Sequence, residues 1–203
     1  MKKISTVQEK IESKFRQQVQ NDKKVKNAYL LVHSEKLGVD INVSEGKTGG
    51  IQANPGQANH LASVGKLFTA TVIGILYDKG LLFFDDKIEK YLDKDLMRGL
   101  HVYKGKDYSG DISIKHLLMQ TSGLNDVFFP LLEKMIKDPN LEMTVREALE
   151  WGKTNLNPVG KPGQKHFYTD TNYYLLGLII ENITKKPFHE AVHEMILEPL
   201  KMD

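Results

Sequence analysis

Ser63 and Lys66 open the stretch HLASVGKLFTATVIGILYDKG, residues 60–80, just where a long apolar run begins. Residues at i and i+3 share one face of a helix, so the lysine amine can reach the serine hydroxyl and influence its proton. That is the chemistry of an activated nucleophile. A helix start adds free N–H groups and the positive end of the helix dipole, which favour negative charge developing nearby. The spacing by itself is weak, because Ser44-Glu45-Gly46-Lys47 repeats it. Context separates the two: Ser44 closes a β-rich run and meets glycine, whereas Ser63 stands at the start of a helix. The rival reading of the pair is a serine that caps the helix beside a lysine whose stem lies along apolar surface.

A second constellation, His189-Glu190-Ala191-Val192-His193, puts two imidazoles on one helix face with a glutamate beside them, the signature of a zinc peptidase. Its usual extension fails, since Ile196 and Pro199 stand where a glycine and a third histidine would be. The rival is an amphipathic surface helix whose apolar face is Phe188, Val192, Met195 and Ile196. On that reading no metal and no cofactor is expected, and both histidines point to solvent. Cysteine is absent, which excludes disulfides, Cys-based zinc sites and thiol catalysis. A net charge of +2 singles out no nucleic-acid partner. The opening MKKISTVQEKIESKFRQQVQ has two lysines and then turns polar, so as it stands it is neither signal peptide nor membrane segment. The compartment stays open: extracytoplasmic if a signal was removed, otherwise cytoplasmic.

The elements that must position these residues follow from periodicity. At 203 residues one domain over 1–203 is expected. Val7, Ile11, Phe15 and Val19 fall four apart among charges, an amphipathic surface helix lying on a sheet. AYLLVHS (28–34) and GVDINVS (38–44), joined by Glu35-Lys36-Leu37, read as an antiparallel hairpin, and residues 45–59 as loop. The helix near Ser63 is apolar on every side and is expected to be buried, ending at Gly80 as its C′ residue. DDKIEKYL (85–92) reads as a capped short helix, and residues 99–111 as a polar loop. Ser113 caps a helical turn through His116 to Leu118, and Thr144 with Glu147 forms a capping box. After the Pro162-Gly163 turn, Thr169 or Asp170 caps a long apolar helix over 171–184.

Taken together, several segments resemble the serine β-lactamase and penicillin-binding-protein-like superfamily, nearest its branch of class C lactamases, D-Ala-D-Ala carboxypeptidases and related esterases. HLASVGKLFTA is similar to the nucleophile segment, GLLFFDDKIEKYL to the loop and helix after it, and ISIKHLLMQTSGL to the helix and Thr-Ser-Gly-Leu turn. PGQKHFYTDTNYYLLGLIIENIT is similar to the Tyr-x-Asn segment and its helix, and FHEAVHEMILEPLKM to the helix that follows. The blocks stand in family order and span most residues from Ala28 to Met202. The resemblance implies an α/β (α+β) fold, with helices packed on an antiparallel sheet. It implies that Ser63 is the acylated nucleophile, Lys66 its proton partner and electrostatic support, and Tyr168 the phenol that passes protons. The oxyanion would sit on the Ser63 N–H. Lys47-Thr48-Gly49 spells a family tripeptide but lies ahead of the nucleophile, out of order, and reads as a turn.

Two departures matter. The family asparagine two residues after the tyrosine is replaced by Asp170, which cannot donate an amide hydrogen bond and, near Lys66, favours the charged ammonium. Family chains also continue past the Glu-Pro-Leu-x-Met segment into strands that carry a Lys/His-x-Gly motif and a second oxyanion donor. On the resemblance, the C-terminal strands are missing from this sequence, and only two convincing strands are present. The expectation is a serine hydrolase forming an acyl-enzyme on a small-molecule ester, lactam or peptide, with residues 1–203 inactive alone. Partners would be the missing C-terminal segment or another copy of the chain. The alternatives are a non-catalytic penicillin-binding-like module and, remotely, a zinc metallopeptidase.

Overall fold

The computed structural model describes residues 2–202. It resolves into two compact units, Met1–His60 and Leu61–Asp203. In the first, helix α1 (Lys2–Asn21) is followed by strands β1 (Asn27–Ser34) and β2 (Val39–Thr48), paired antiparallel with Tyr29 opposite Ser44 and Val32 opposite Ile41. Val39 and Ile41 alternate along β2 into the core, and Arg16 of α1 reaches Glu45 of β2 at 2.6 Å. The link Glu35–Leu37 is a 3-10 turn in which Ser34 Oγ accepts from the Leu37 N–H. The loop expected from residue 45 is in part strand. β2 runs on to Thr48 and pairs with a short β3 (Ile51–Gln52). The reversal is Gly49-Gly50, at φ 58° and 84°. Two successive residues at positive φ make the tight hairpin turn whose twist matches its strands. Lys47 and Thr48 are therefore strand residues, and only Gly49 of that tripeptide lies in the turn.

The second unit is helical. A 3-10 turn, Ala62–Val64, leads into α2 (Gly65–Asp78). Gly80, at φ 68°, ends it: its N–H donates to Tyr77 O and the Leu81 N–H to Leu76 O, which satisfies the last carbonyls. Val72, Ile73 and Leu76 are fully buried, but Leu67 is 67% exposed and Tyr77 is 40% exposed. The expectation of a helix buried all round is thus corrected to one buried face. The 85–92 segment is a single 3-10 turn (Ile88–Lys90), because the Asp86 carboxylate accepts from the Phe83 N–H, Lys90 and the Tyr91 hydroxyl and pins the chain there. α3 (Lys94–Met97), capped by Asp93, precedes the expected polar loop at 99–111, which itself holds order: β4 (Val102–Tyr103) and β5 (Lys106–Asp107) form a hairpin turning at Lys104-Gly105.

α4 (Ile114–Leu118) is capped by Ser113 as expected, in a full capping box with His116, and α6 (Val145–Asn155) carries the capping box expected at Thr144 and Glu147. Between them α5 (Phe128–Lys137) forms with Pro130 in its first turn, where the missing N–H costs nothing. α7 (Asp170–Thr184) buries Leu175, Leu176, Ile179 and Ile180 against α2 and α4. α8 (Phe188–Val192) continues through a π turn (His193–Leu197) to α9 (Glu198–Leu200), with Ala191 and Ile196 in the same core. Among the described residues no helix is long and apolar enough to cross a membrane.

Candidate active site

Two segments meet at the start of α2. Ser63 sits in the turn before the helix, immediately after Ala62, a non-glycine residue at φ 47°. Backbone in this region costs an L residue energy and persists where surrounding structure holds it. Lys66 follows one turn on, its side chain largely buried. The second segment is Tyr168-Thr169-Asp170, which leads into α7. The Tyr168 hydroxyl lies 2.8 Å from Ser63 Oγ, across 105 positions of sequence. Lys66 Nζ donates to Asp170 Oδ1 in an ion pair. It also lies 4.9 Å from the centre of the Tyr168 ring and 5.4 Å from that of Tyr173, so one cation faces two aromatic rings. Ser63 and Tyr168 are exposed, so the paired hydroxyls stand open while the charges behind them are sheltered.

Opposed effects set the charge on Lys66. Burial pulls its pKa down, but hydrogen bonds to Asp170 and Tyr168 and their Coulombic attraction raise it above the ordinary 10.5. The group is an ammonium at neutral pH. It can stabilise negative charge on the phenolic oxygen beside it, but it is not a free-amine base.

The loop Gln120–Asp126 holds the Tyr168 segment in place. Asp126 Oδ1 accepts from the Asp170 N–H at 2.8 Å and from the Thr169 hydroxyl at 3.0 Å. Gln120 Oε1 accepts from the Thr169 N–H at 3.1 Å and from Asn172 Nδ2 at 2.6 Å, and the Ser122 hydroxyl donates to Asn172 Oδ1. Backbone bonds add Phe167 N–H to Gln120 O and Gly163 N–H to Thr121 O. Gln120, Ser122, Thr169 and Asn172 are buried. Gln120 Nε2 is buried without a partner, but each bond that is made favours one geometry, because breaking it would strand a further desolvated group. Sequence reasoning did not assign Gln120, Asp126, Asn172 or Tyr173 to the site. The available signals were Asn125-Asp126 directly before an apolar helix and Asn172 inside one.

His189 and His193 are both exposed, at α8 and at the start of the following π turn, and Glu194 pairs with Lys186. Among the described residues no three His, Asp or Glu side chains gather in a way that could hold a metal ion.

Comparison with known proteins bears on the family and the fold. A family profile described as Beta-lactamase matches residues 13–203. The chain is 32% identical over 158 residues to a putative D-alanyl-D-alanine carboxypeptidase of Escherichia coli K12, covering 74% of this chain and 34% of that protein. It is 30% identical over 162 residues to Protein flp of Staphylococcus aureus, covering 75% and 28%. It therefore spans about a third of the length of the curated relatives it matches. Among solved structures, a D-stereospecific amidohydrolase from Streptomyces superposes with a TM-score of 0.67 at 26% identity, covering 80% of this chain and 46% of that one. A penicillin-binding protein homologue from Pyrococcus abyssi gives 0.55 at 31% identity, covering 70% and 31%. With a profile spanning nearly all of its residues and helices and sheet in the corresponding fold, the chain belongs to the beta-lactamase family of serine hydrolases.

Proposed function

We propose that Ser63 is the nucleophile of a hydrolase that opens an ester or amide through a covalent acyl-enzyme. The observation that carries this reading is the 2.8 Å approach of the Tyr168 and Ser63 hydroxyls beside the Lys66 ammonium. Tyr168, as the phenolate, takes the Ser63 proton while Ser63 Oγ forms a bond to the substrate carbonyl carbon. The tetrahedral oxyanion is held by the Ser63 N–H. As the C–N or C–O bond breaks, the proton passes from Tyr168 to the leaving group. Water then attacks the acyl carbon and gives a proton to Tyr168, which returns it to Ser63 as the acid departs. Lys66 stays charged throughout and balances the phenolate, and Asp170 holds Lys66 in place.

The substrate classes this chemistry admits are lactams, D-alanyl peptides and simple esters, and a D-alanyl peptide follows the carboxypeptidase relative. The family match runs through both units, which supports reading 1–203 as parts of one hydrolase domain. A fluorophosphonate or penicillin probe tests the proposal. The expected result is a single adduct on the peptide that contains Ser63, absent in Ser63→Ala. Labelling elsewhere, or none on a folded chain, would remove the nucleophile assignment.

A further inference from the structure

Among the described residues, His101 is the one ionisable side chain with no exposed surface. Neither of its ring nitrogens makes a hydrogen bond of normal geometry. Buried polar atoms are nearly always partnered, so an imidazole sealed in with both nitrogens free calls for a reason. Its backbone is tied down on both sides: the His101 N–H donates to Ser109 Oγ at 2.9 Å, and His101 O accepts from the Tyr108 N–H at 2.8 Å. The ring is thereby held against the loop Gln120–Asp126. A Cβ at Gly123 would lie 2.9 Å from His101 Nε2, so the imidazole packs directly on the turn at Ser122-Gly123.

Each element packed on the ring brings charged groups. Asp107, at the end of β5, draws a proton towards it, though Asp107 Oδ1 is already engaged by the Ser109 N–H at 2.8 Å and the Ser109 hydroxyl at 2.6 Å. Tyr108 meets the imidazole edge to face at 5.9 Å, and Lys106 and Lys161 lie over the Tyr108 ring. The stem of Lys165 passes over Gly160, and His116 stands beside Gly163. The loop itself adds Asp126, engaged by Thr169 and Asp170. Burial is the largest influence on His101 and keeps it neutral at pH 7, against the pull of the Gly160 and Ser122 backbone and Asp107.

A proton added to this ring would place a cation with two N–H donors where neither nitrogen has a partner, and a desolvated charge of that kind is relieved by movement towards water or towards carbonyl groups. The turn it would move is bonded to the site. Gly123 O accepts from the Val159 N–H at 2.8 Å, the Ser122 hydroxyl donates to Asn172, and Gln120 accepts from Asn172 and the Thr169 N–H. Thr169 directly follows Tyr168, whose hydroxyl meets Ser63.

We infer that His101 is a positioning residue for the Ser63 site: its neutral ring props the Ser122-Gly123 turn, and a proton on the ring unseats that turn and with it Tyr168. This rests on Ser63 being the nucleophile and Tyr168 its proton acceptor.

The test is the rate of Ser63 labelling by a fluorophosphonate, followed by mass spectrometry from about pH 7.5 down to about pH 5 in the wild-type chain, His101→Gln and His116→Gln. Circular dichroism at each pH reports the fold, and glutamine at 116 can still complete the capping box with Ser113. Tyr168 lends the same pH dependence to all three proteins, so the effect of His101 is read as a ratio of rates. Relative to His101→Gln, the wild-type rate should fall with acid by a factor approaching about tenfold per pH unit, the slope of one proton. His116→Gln should keep the wild-type profile. If His101→Gln does not fold, the His101 ring is titrated by NMR in the wild type. Hydrogen exchange at the Thr169 and Asp170 N–H groups should then quicken as the ring takes its proton, while Val72 and Ile73 of α2 stay protected. A ratio flat across pH, an acid fall lost in His116→Gln instead, or protection at Thr169 and Asp170 that ignores the ring titration would overturn the positioning role alone. No adduct on Ser63 at any pH would overturn the nucleophile assignment and the positioning role with it.

Discussion

At the scale of single residues, Asp170 stands where the family resemblance implies asparagine, and on the proposed function it keeps Lys66 charged and leaves proton transfer to Tyr168. Burial opposes charge on Lys66, and the bonds to Asp170 and Tyr168 reverse that, so the pKa lies above 10.5. The stability this pair contributes is fully present at neutral pH and is lost only as pH rises past 10.5 and through the raised value. In Asp170→Asn the burial penalty meets less opposition, and the lysine gives up its proton at lower pH. The alkaline limb of the pH profile for Ser63 labelling should then move down; an unchanged profile would show that Asp170 does not hold the charge. His101 is the opposite case. It is fully buried, neither ring nitrogen makes a hydrogen bond of normal geometry, and burial keeps its pKa below 6.5 against the pull of nearby backbone groups and Asp107. A group whose folded pKa is depressed stabilises the fold above its unfolded value and loses that contribution as pH falls below 6.5. His116 shifts the same way, through burial first and Lys87 second. Melting temperatures measured between pH 7.5 and 5 should fall, and His101→Phe should flatten that fall without removing the share due to His116.

At the scale of elements, the loop Gln120–Asp126 is what turns two distant motifs into one site, and Gly123 is its tightest point. It sits at φ 79°, and a Cβ there would lie 2.2 Å from Gly160 O and 2.9 Å from His101 Nε2. Gly123→Ala should cost at least about 1–3 kcal/mol from the backbone conformation alone. That corresponds to roughly 2–4 °C of melting temperature per kcal/mol for a chain of this size. Displacing the loop should also release Thr169 and Asp170, so Ser63 labelling should slow even where the fold survives; unaltered labelling by a stable Gly123→Ala protein would count against the positioning role. Capping boxes, the Gly80 terminator and the β1–β2 hairpin were legible in the sequence because each depends on neighbours within a few residues. α5 and the β4–β5 hairpin were not. The first carries a helical period, with Glu133, Lys134 and Lys137 on one face, but begins without a capping side chain, Val127 standing at its N-cap, and the second is two residues a side in a polar setting. The Ser63–Tyr168 approach was legible only through the order of motifs, since nothing local to either segment states that they touch. Asp126 and Gln120 escaped because their partners, backbone and side-chain groups of residues 169, 170 and 172, lie 43 to 52 positions away.

At the scale of the whole molecule, the matched relatives are more than twice as long as this chain. By family resemblance, a second oxyanion donor comes from a strand that follows the Glu-Pro-Leu-x-Met segment, here Glu198 to Met202. On the proposed function, residues 1–203 supply the Ser63 N–H as one of that pair. Losing one oxyanion donor typically slows such a reaction by about 10² to 10³. Reactive esters and fluorophosphonates need that donor least, because their leaving groups lower the barrier to attack. The 203-residue chain is therefore expected to label at Ser63 with activated probes yet to turn over amide substrates at least a hundredfold more slowly than the carboxypeptidase and amidohydrolase relatives. Burst and steady-state phases with one activated ester separate the two outcomes: a stoichiometric burst followed by slow release places the deficit in oxyanion stabilisation. Steady turnover of an amide at ordinary enzymatic rates would mean that the second donor lies within these residues.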